Sequence, residues 1–321
     1  MFGKNYVSDL ITRSAENPAD RRRFLKSASA AGLGVVGLGM VGSLAVPAVA
    51  SAATASPKGH AVLDDDDAAI SDGAILNFAL NLEYLEAEFY SYAVYGRGLP
   101  TSLTTGKGAY GPVEGGRAVP FKSAGLKQFA TEIARDEYDH VRFLRAALGG
   151  AAVARPTINI RQSFTAAATA AGLIKPGQVF DVYANEDNFA LGAFIFEDVG
   201  VTAYKGAAPL ISNKTYLSAA AGILAVEAYH AANIRTVLYQ RGLAADADAI
   251  SRARDSLDGP SHDDQGVTID GVANIVPADG NGLAFGRTPG AVLNIVYLTP
   301  KVANAGGFYP HGVNGQLHTS S

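Results

Sequence analysis

The stretch I-A-R-D-E-Y-D-H at residues 133–140 has a near copy, I-L-A-V-E-A-Y-H, at residues 223–230. Both copies end in the pattern E-x-x-H, and residues three apart lie on the same face of an α-helix. Apolar residues continue that face on either side of each pattern, as expected for a helix packed against a core. The sequence therefore predicts two related helices, over residues 121–148 and 212–241, with a polar pair in each buried face. The pairs are Glu137 with His140 and Glu227 with His230.

Two further segments have a helical period, residues 70–95 and 179–204. Each carries one glutamate in the middle of an apolar face and a tyrosine seven residues later. The chain is thus an internal repeat of helix pairs, with no linker between the two halves, which predicts a single four-helix bundle. The glutamates are Glu83 and Glu197, and the tyrosines are Tyr90 and Tyr204.

Four glutamates on buried faces need positive charge nearby. Burying an ionised carboxylate without a partner costs several kcal/mol, and neighbouring carboxylates also repel one another. No Lys or Arg lies on these four faces. Two divalent cations would supply the charge, and carboxylates with neutral imidazoles are suitable ligands. The sequence therefore predicts a site for two metal ions.

This pattern resembles the ferritin-like di-iron and di-manganese carboxylate proteins, in which two helices each give one Glu and two give E-x-x-H. The resemblance implies an all-α, ferritin-like four-helix bundle. It also implies that Glu83 and Glu197 are terminal ligands, that Glu137 and Glu227 bridge the ions, and that His140 and His230 each complete one metal. Tyr90 and Tyr204 resemble tyrosines beside the ligands in that superfamily.

Three longer segments resemble one branch of that superfamily, the desiccation-related ferritin-like proteins of bacteria and plants. They are L-N-F-A-L-N-L-E-Y-L-E-A-E-F-Y at 76–90, N-I-V-P-A-D-G-N-G-L-A-F-G-R-T-P at 274–289 and G-G-F-Y-P-H-G-V-N-G at 306–315. The resemblance implies a role in drying stress without specifying a reaction.

Other interpretations of the same residues stay open at this stage. A single E-x-x-H is also typical of a surface pair, and the tyrosines are core residues unless they have a redox or gating role. Glu86 lies on a neighbouring stripe and flanks the site. Asp136 and Asp139 face solvent or orient an imidazole. A second metal site at His262, Asp263 and Asp264 is a weaker interpretation.

Composition excludes several classes of protein. The chain of 321 residues has no Cys, which excludes disulfides, thiolate metal sites and iron–sulfur clusters. The net charge is −4, and no basic stripe follows the N-terminus, so we expect no nucleic-acid partner.

The N-terminus predicts export. Residues 21–26 read R-R-R-F-L-K and are followed by a Gly/Ala/Val-rich stretch that ends A-V-A at residue 50, which is typical of a secretory signal. The R-R-x-F-L-K run resembles a twin-arginine signal, which implies export of a folded protein to the periplasm or cell envelope. We expect residues 1–50 to be this signal and residues 51–67 a linker. If the signal is not cleaved, it would be a membrane anchor.

The rest of the chain divides into two parts. Residues 68–242 form the predicted bundle, with a loop at 96–120, a long crossover at 149–178 and a short helix within it at 163–171. Residues 243–321 form an irregular C-terminal extension that either wraps the bundle or makes an oligomer contact. We also expect the protein to be a homo-oligomer. Thr288 as N-cap and Pro289 predict a short helix there, docked by Ala291, Ile295 and Leu298.

Two functions compete at this stage. One is a di-iron or di-manganese oxidoreductase, ferroxidase-like or manganese-catalase-like, which handles O2, peroxide or metal ions. By affinity alone, these ligands favour Cu and Zn over Fe and Mn. A protein that folds before export, however, binds its metal in the cytoplasm, where Cu is scarce. The other is a protective envelope protein in which metal only stabilises the bundle. In a third, weaker interpretation the site is empty and protonated carboxylates hydrogen-bond one another.

Overall fold

This computed structural model describes residues 70–321. The signal and linker predicted for residues 1–67 lie outside the described residues. Within the described part there are seven α-helices, as follows: α1 Asp72–Tyr95, α2 Ala124–Leu148, α3 Gln162–Ala170, α4 Glu186–Ala207, α5 Lys214–Gln240, α6 Ala244–Asp255 and α7 Pro289–Tyr297.

The four long helices α1, α2, α4 and α5 form the predicted bundle. Helix α1 packs along α2, and α4 packs along α5. Helices α1 and α4 bury nearly all of their side chains, whereas α2 and α5 each bury one face. The all-α, ferritin-like bundle expected from the sequence is therefore confirmed, with α1 and α4 in its interior.

Capping side chains decide where the long helices begin. Ser71 and Ser123 each accept a hydrogen bond from a backbone N–H of the first turn. The prediction that the third helix begins at residue 179 was wrong, because Asn185 is extended and its side chain accepts from the backbone N–H groups of Asp187 and Asn188. The helix therefore begins at Glu186, and such a cap satisfies donors that the first turn leaves free.

The connections cover α1 on one side. Strand β1 (Val113–Glu114) in the first loop pairs in parallel with β2 (Ile158–Asn159) in the crossover. The side chain of Asn77 in α1 donates to the carbonyl of Ala151 and accepts from the backbone N–H of Val153. These bonds fix the crossover against the bundle.

The C-terminal extension packs on the bundle. Helix α6 was not predicted, because half of its side chains are polar and its apolar residues, apart from Ile250, are alanines. Helix α7 has the predicted Thr288 cap, but the predicted docking residues are only partly right. Of the three, only Ile295 is buried, and the helix docks mainly through neighbouring residues. The buried apolar residues of α7 are Val292, Leu293, Ile295, Val296 and Tyr297.

Two further contacts hold the extension. Strands β3 (Thr268–Ile269) and β4 (Val272–Ala273) form a short antiparallel hairpin within it, and the hydroxyl of Tyr309 donates to the carbonyl of Asn81 in α1.

Between residues 70 and 321, no helix combines the length and apolar character that crossing a membrane requires.

Candidate metal centre

The structure brings all six predicted ligands together in the middle of the bundle. The four glutamates are at most 1% exposed, and the two histidines are 6% and 8% exposed. Their ligand atoms fall into two groups, within each of which all atoms lie within 4.8 Å of one another. Glu137 and Glu227 belong to both groups, as the resemblance implied for bridging ligands. The first group adds Glu83 and His140, and the second adds Glu197 and His230.

His140 directs its Nδ1 atom into the first group. This atom lies 3.2 Å from Oε2 of Glu83, 3.5 Å from Oε2 of Glu137 and 3.6 Å from Oε1 of Glu227. Atoms that share a metal ion at about 2.1 Å lie roughly 3 to 3.5 Å apart. Two of the three separations fall in this range and the third lies just above it, so they are close to those of one coordination shell.

His230 occupies the matching position in the second group. Its Nδ1 atom lies 3.1 Å from Oε1 of Glu137 and 3.4 Å from Oε2 of Glu197. Its other ring nitrogen, Nε2, faces outward and lies 3.3 Å from Oδ2 of Asp136. A carboxylate on the outer nitrogen fixes the ring orientation and leaves Nδ1 free to bind a metal.

Several ligand atoms lie near one another but have no partner in hydrogen-bond geometry among the described residues, although buried polar atoms are normally paired. Most of the deficit lies on the bridging pair, where both oxygens of both carboxylates are unpaired. A pair of cations would satisfy these atoms, so the donor set fits two metal ions. The unpaired atoms of the six ligands are Oε1 and Oε2 of Glu137 and Glu227, Oε2 of Glu197 and Nδ1 of His230.

The electrostatics of the cluster agree with this fit. Burial raises the pKa of Glu83 to about 7 and, with the charges of neighbouring carboxylates, raises the pKa of Glu227 well above its usual value. Burial acts in the same direction on Glu137, but the adjacent imidazoles outweigh it and lower the pKa of Glu137. Burial lowers the pKa of His140, yet Glu83 and Glu137 outweigh it and raise the value to about 12. Without a metal, protons therefore carry the charge that cations would supply.

The two tyrosines bind the terminal glutamates in a crossed arrangement. The hydroxyl of Tyr90 in α1 donates to Glu197 in α4, and the hydroxyl of Tyr204 in α4 donates to Glu83 in α1. Burial and the nearby carboxylates raise the pKa of both phenols well above the usual value. Both tyrosines therefore stay protonated and hold one oxygen of each terminal glutamate.

The structure distinguishes the two roles that the sequence left open for Asp136 and Asp139, orienting an imidazole and facing solvent. Asp136 orients the imidazole of His230, whereas Asp139 forms an exposed ion pair of 2.6 Å with Arg142. The residue of α5 that matches Asp136 in the repeat is Val226, so His140 has no such carboxylate from that position. The repeat is therefore asymmetric around its two imidazoles.

In the part of the chain that the structure describes, His262, Asp263 and Asp264 do not come together as metal ligands. His262 is exposed and lies 3.1 Å from Asp255. Asp264 instead pairs with Arg254 and Arg287. The weaker second metal site is therefore replaced by a buried ion-pair network.

Sequence reasoning missed this ion-pair network. It includes Asp198, which directly follows the proposed ligand Glu197 in α4. Arg235 of α5 is fully buried, and its guanidinium lies 2.7 Å from Asp198, the residue after Glu197. Arg254 of α6 binds the same carboxylate at 2.8 Å. Arg235 also donates to the backbone carbonyls of residues 265, 266 and 274. The available signal was a basic residue, Arg235, directly after Ile234 of the apolar stripe of α5. The network ties the extension to the two helices that carry Glu197 and Glu227.

Comparisons with known proteins support the ferritin-like fold. A family model described as a ferritin-like domain matches residues 71–240. The chain is 30% identical over 277 residues to "Desiccation-related protein PCC13-62" of Craterostigma plantagineum, a match that covers 79% of this chain and 86% of the relative. It is 29% identical over 280 residues to "Ferritin-like catalase Nec2" of Nesocodon mauritianus, with 79% and 87% covered. No solved structure matches the chain.

Proposed function

Because the chain belongs to the ferritin-like domain family, we propose that it is an exported di-metal carboxylate protein that breaks down hydrogen peroxide under stress such as drying. The observation that carries the proposal is the set of buried, unpaired ligand atoms shared between two groups around Glu137 and Glu227. Unpaired carboxylate oxygens at the centre of a core are costly unless cations bind them.

Each ligand has a separate task in this proposal. Glu137 and Glu227 would hold both ions, because each contributes an atom to both groups. Glu83 and Glu197 would each hold one ion, and the hydroxyls of Tyr204 and Tyr90 fix their carboxylates.

The imidazoles of His140 and His230 would each hold one ion through Nδ1. His230 is fixed by Asp136 on its outer nitrogen. Of the six ligands His140 has the most exposed side chain, at 11%, so the proposal assigns the entry of a small molecule such as peroxide to the α2–α5 side.

Dismutation is the reaction that this site suits best. Two redox-active ions, Fe or Mn, would supply and take up the two electrons that pass from one peroxide to another. The reaction therefore needs no external reductant and yields water and O2. The apolar core limits water around the site, which strengthens electrostatic control by the charged ligands. The printed name of one relative, a ferritin-like catalase, supports the same reaction.

Export by the twin-arginine route to the periplasm or cell envelope completes the proposal. It rests on the R-R-x-F-L-K run at residues 21–26 and the apolar stretch behind it. A protein that folds before export binds its metal in the cytoplasm, where Fe and Mn compete better against Cu.

The decisive experiment uses protein purified from its own host. Elemental analysis should give two Fe or Mn per chain, and an oxygen electrode should record O2 release after addition of hydrogen peroxide. Glu137→Gln removes a bridging carboxylate and should lose both the metal and the O2 release. Glu132→Gln, at an exposed position of the same helix, should lose neither. Protein with two ions and no O2 release would reject the catalase activity and leave the metal site standing.

A second candidate, a non-catalytic protective protein, is favoured by one observation. Glu137, Glu197 and Glu227 have no exposed surface, which suits ions that only stabilise the bundle. If this function is correct, replacing Glu137 and His140 together should lower the melting temperature without removing any measurable turnover. Its support among relatives is the printed name of the desiccation-related protein.

A further inference from the structure

A cavity lies between the C-terminal extension and the helices α4 and α5, and its volume is about 80 Å³. An engineered apolar cavity of about 150 Å³ holds one benzene molecule. Val276 lines the cavity and is 73% exposed, so the cavity opens to solvent. It therefore has room for a small organic molecule of roughly four or five heavy atoms.

Most of the wall of this cavity is apolar. Helix α5 contributes Ala228, Ala231 and Ala232, and the extension contributes Ile275 and Phe285. The alanines leave space that larger side chains on α5 would fill. Sites for small molecules have this character, in which an apolar wall carries a few polar groups that fix the orientation of the ligand.

Asp198 of α4 is one of the polar residues in the wall, and it is only 6% exposed. Arg235 and Arg254 both donate to its Oδ2 atom. The other oxygen, Oδ1, is buried and has no hydrogen-bond partner among the described residues. A buried acceptor without a donor is costly, so a donor on a bound molecule would stabilise this residue.

The charges around the cavity leave one carboxylate without a partner. The ion-pair network joins three aspartates to three arginines, so its formal charges cancel. Asp263 also lines the cavity, and between residues 70 and 321 it forms no ion pair. The cavity and the network together therefore carry one negative charge in excess. The paired residues are Asp198, Asp258 and Asp264 with Arg235, Arg254 and Arg287.

The one guanidinium in the wall is already bound by protein groups. Arg287 donates to Asp258, Thr202 and Asp264, and its side chain is 1% exposed. An anionic ligand would thus face the unpaired carboxylate of Asp263 without a free cation among the described residues of the wall, and burying it there would be unfavourable. A cation with N–H donors would instead match both aspartates that lack a donor.

We propose that this cavity binds a small organic cation, an alkylammonium ion that donates to Asp198 and Asp263 while its carbon chain packs against the alanines of α5. An ammonium group has three N–H donors, which is enough for both carboxylates. Because the wall comes from α4, α5 and the extension, the bound ion also ties the extension to the bundle. The inference does not depend on the metal centre.

The test compares two probes of equal size on the full chain, n-butylammonium and n-butanol. A ligand-observed NMR titration should give a Kd of roughly 0.1 to 10 mM for n-butylammonium, as expected for five heavy atoms. The alcohol should bind at least about tenfold more weakly, because it cannot form charge-assisted hydrogen bonds. Equal affinities for the two probes, or no binding of n-butylammonium in this range, would overturn the proposal.

The replacement Asp263→Asn tests the charge. It should weaken n-butylammonium binding by roughly tenfold, the loss expected for a hydrogen bond to a charged group, and should leave the affinity for n-butanol unchanged. Asp139→Asn, at an exposed position of α2, is the matched control and should bind n-butylammonium as the wild type does. Wild-type affinity in Asp263→Asn would refute the assigned role of this carboxylate.

The replacement Ala232→Leu tests the location, because the larger side chain fills the cavity. It should abolish binding of both probes, whereas Ala221→Leu should not. Ala221 is an exposed alanine of the same helix and does not line the cavity. Circular dichroism melts of both variants show whether they are folded. A folded Ala232→Leu protein that binds n-butylammonium with wild-type affinity would place the ion elsewhere and reject the site.

Discussion

Glu83 gives a direct test of the idea that the buried carboxylates need protons when no cation is present. Burial raises the pKa of this carboxyl from 4.5 to about 7, whereas in the unfolded chain it returns to its usual value. The folded state therefore holds the proton more tightly than the unfolded state. The resulting stabilisation is fully present below pH 4.5 and is lost as the pH rises through about 7.

The size of the effect follows from the same values. A rise from 4.5 to about 7 corresponds to about 3 kcal/mol of unfolding free energy. In a domain of this size each kcal/mol moves the melting temperature by about 2 to 4 °C, so Glu83 alone should account for roughly 6 to 12 °C. His140 acts in the same direction above pH 6.5, because its pKa is raised to about 12. Glu137 has a lowered pKa, so its contribution changes only below pH 4.5.

The assay is thermal unfolding of protein treated with EDTA, at pH 5 and at pH 8. The metal-free protein should melt at a lower temperature at pH 8, and loading with Mn²⁺ should remove most of the difference, because the cations replace the protons. Glu83→Gln, which still accepts a hydrogen bond from Tyr204, should show a smaller dependence on pH, and Glu132→Gln should behave as the wild type does. Metal-free wild type that melts at the same or a higher temperature at pH 8 would refute the reasoning.

Three other predictions address the surroundings of the site and the N-terminus. Asp136→Ala should weaken metal binding by about 10- to 100-fold in competition with a chelator, and equal affinities for Asp136→Ala and its exposed neighbour Asp139→Ala would contradict the orienting role. Arg235→Met leaves a buried carboxylate without one of its partners and should lower the unfolding free energy in urea by about 3 to 5 kcal/mol; a loss below about 1 kcal/mol would show that the network adds little. Replacing Arg21 and Arg22 by lysine should retain a reporter fused after residue 67 in the cytoplasm, and undiminished export would reject the twin-arginine route.

Much of the fold was predictable because each bundle helix carries its own periodic signal. The stripe around Glu137 and His140 specified both the face and the helix, and its copy at Glu227 and His230 gave the same result independently. Boundaries were less predictable, since the start of α4 depends on the side-chain cap of Asn185. Helix α6 was not predicted because half of its side chains are polar and Ile250 is its one large apolar residue.

The amino-acid sequence by itself determined which side chains face inward on each helix. Residues three, four and seven apart share a face whatever the helix packs against, so the six proposed ligands and the two tyrosines follow from spacing alone. The tertiary structure decided which helix each of them reaches. Tyr90 binds Glu197 rather than Glu83, and Asp136 contacts His230 rather than His140. The physical reason is that periodicity belongs to a single helix, whereas these contacts depend on how neighbouring helices are shifted and rotated by packing over their full length.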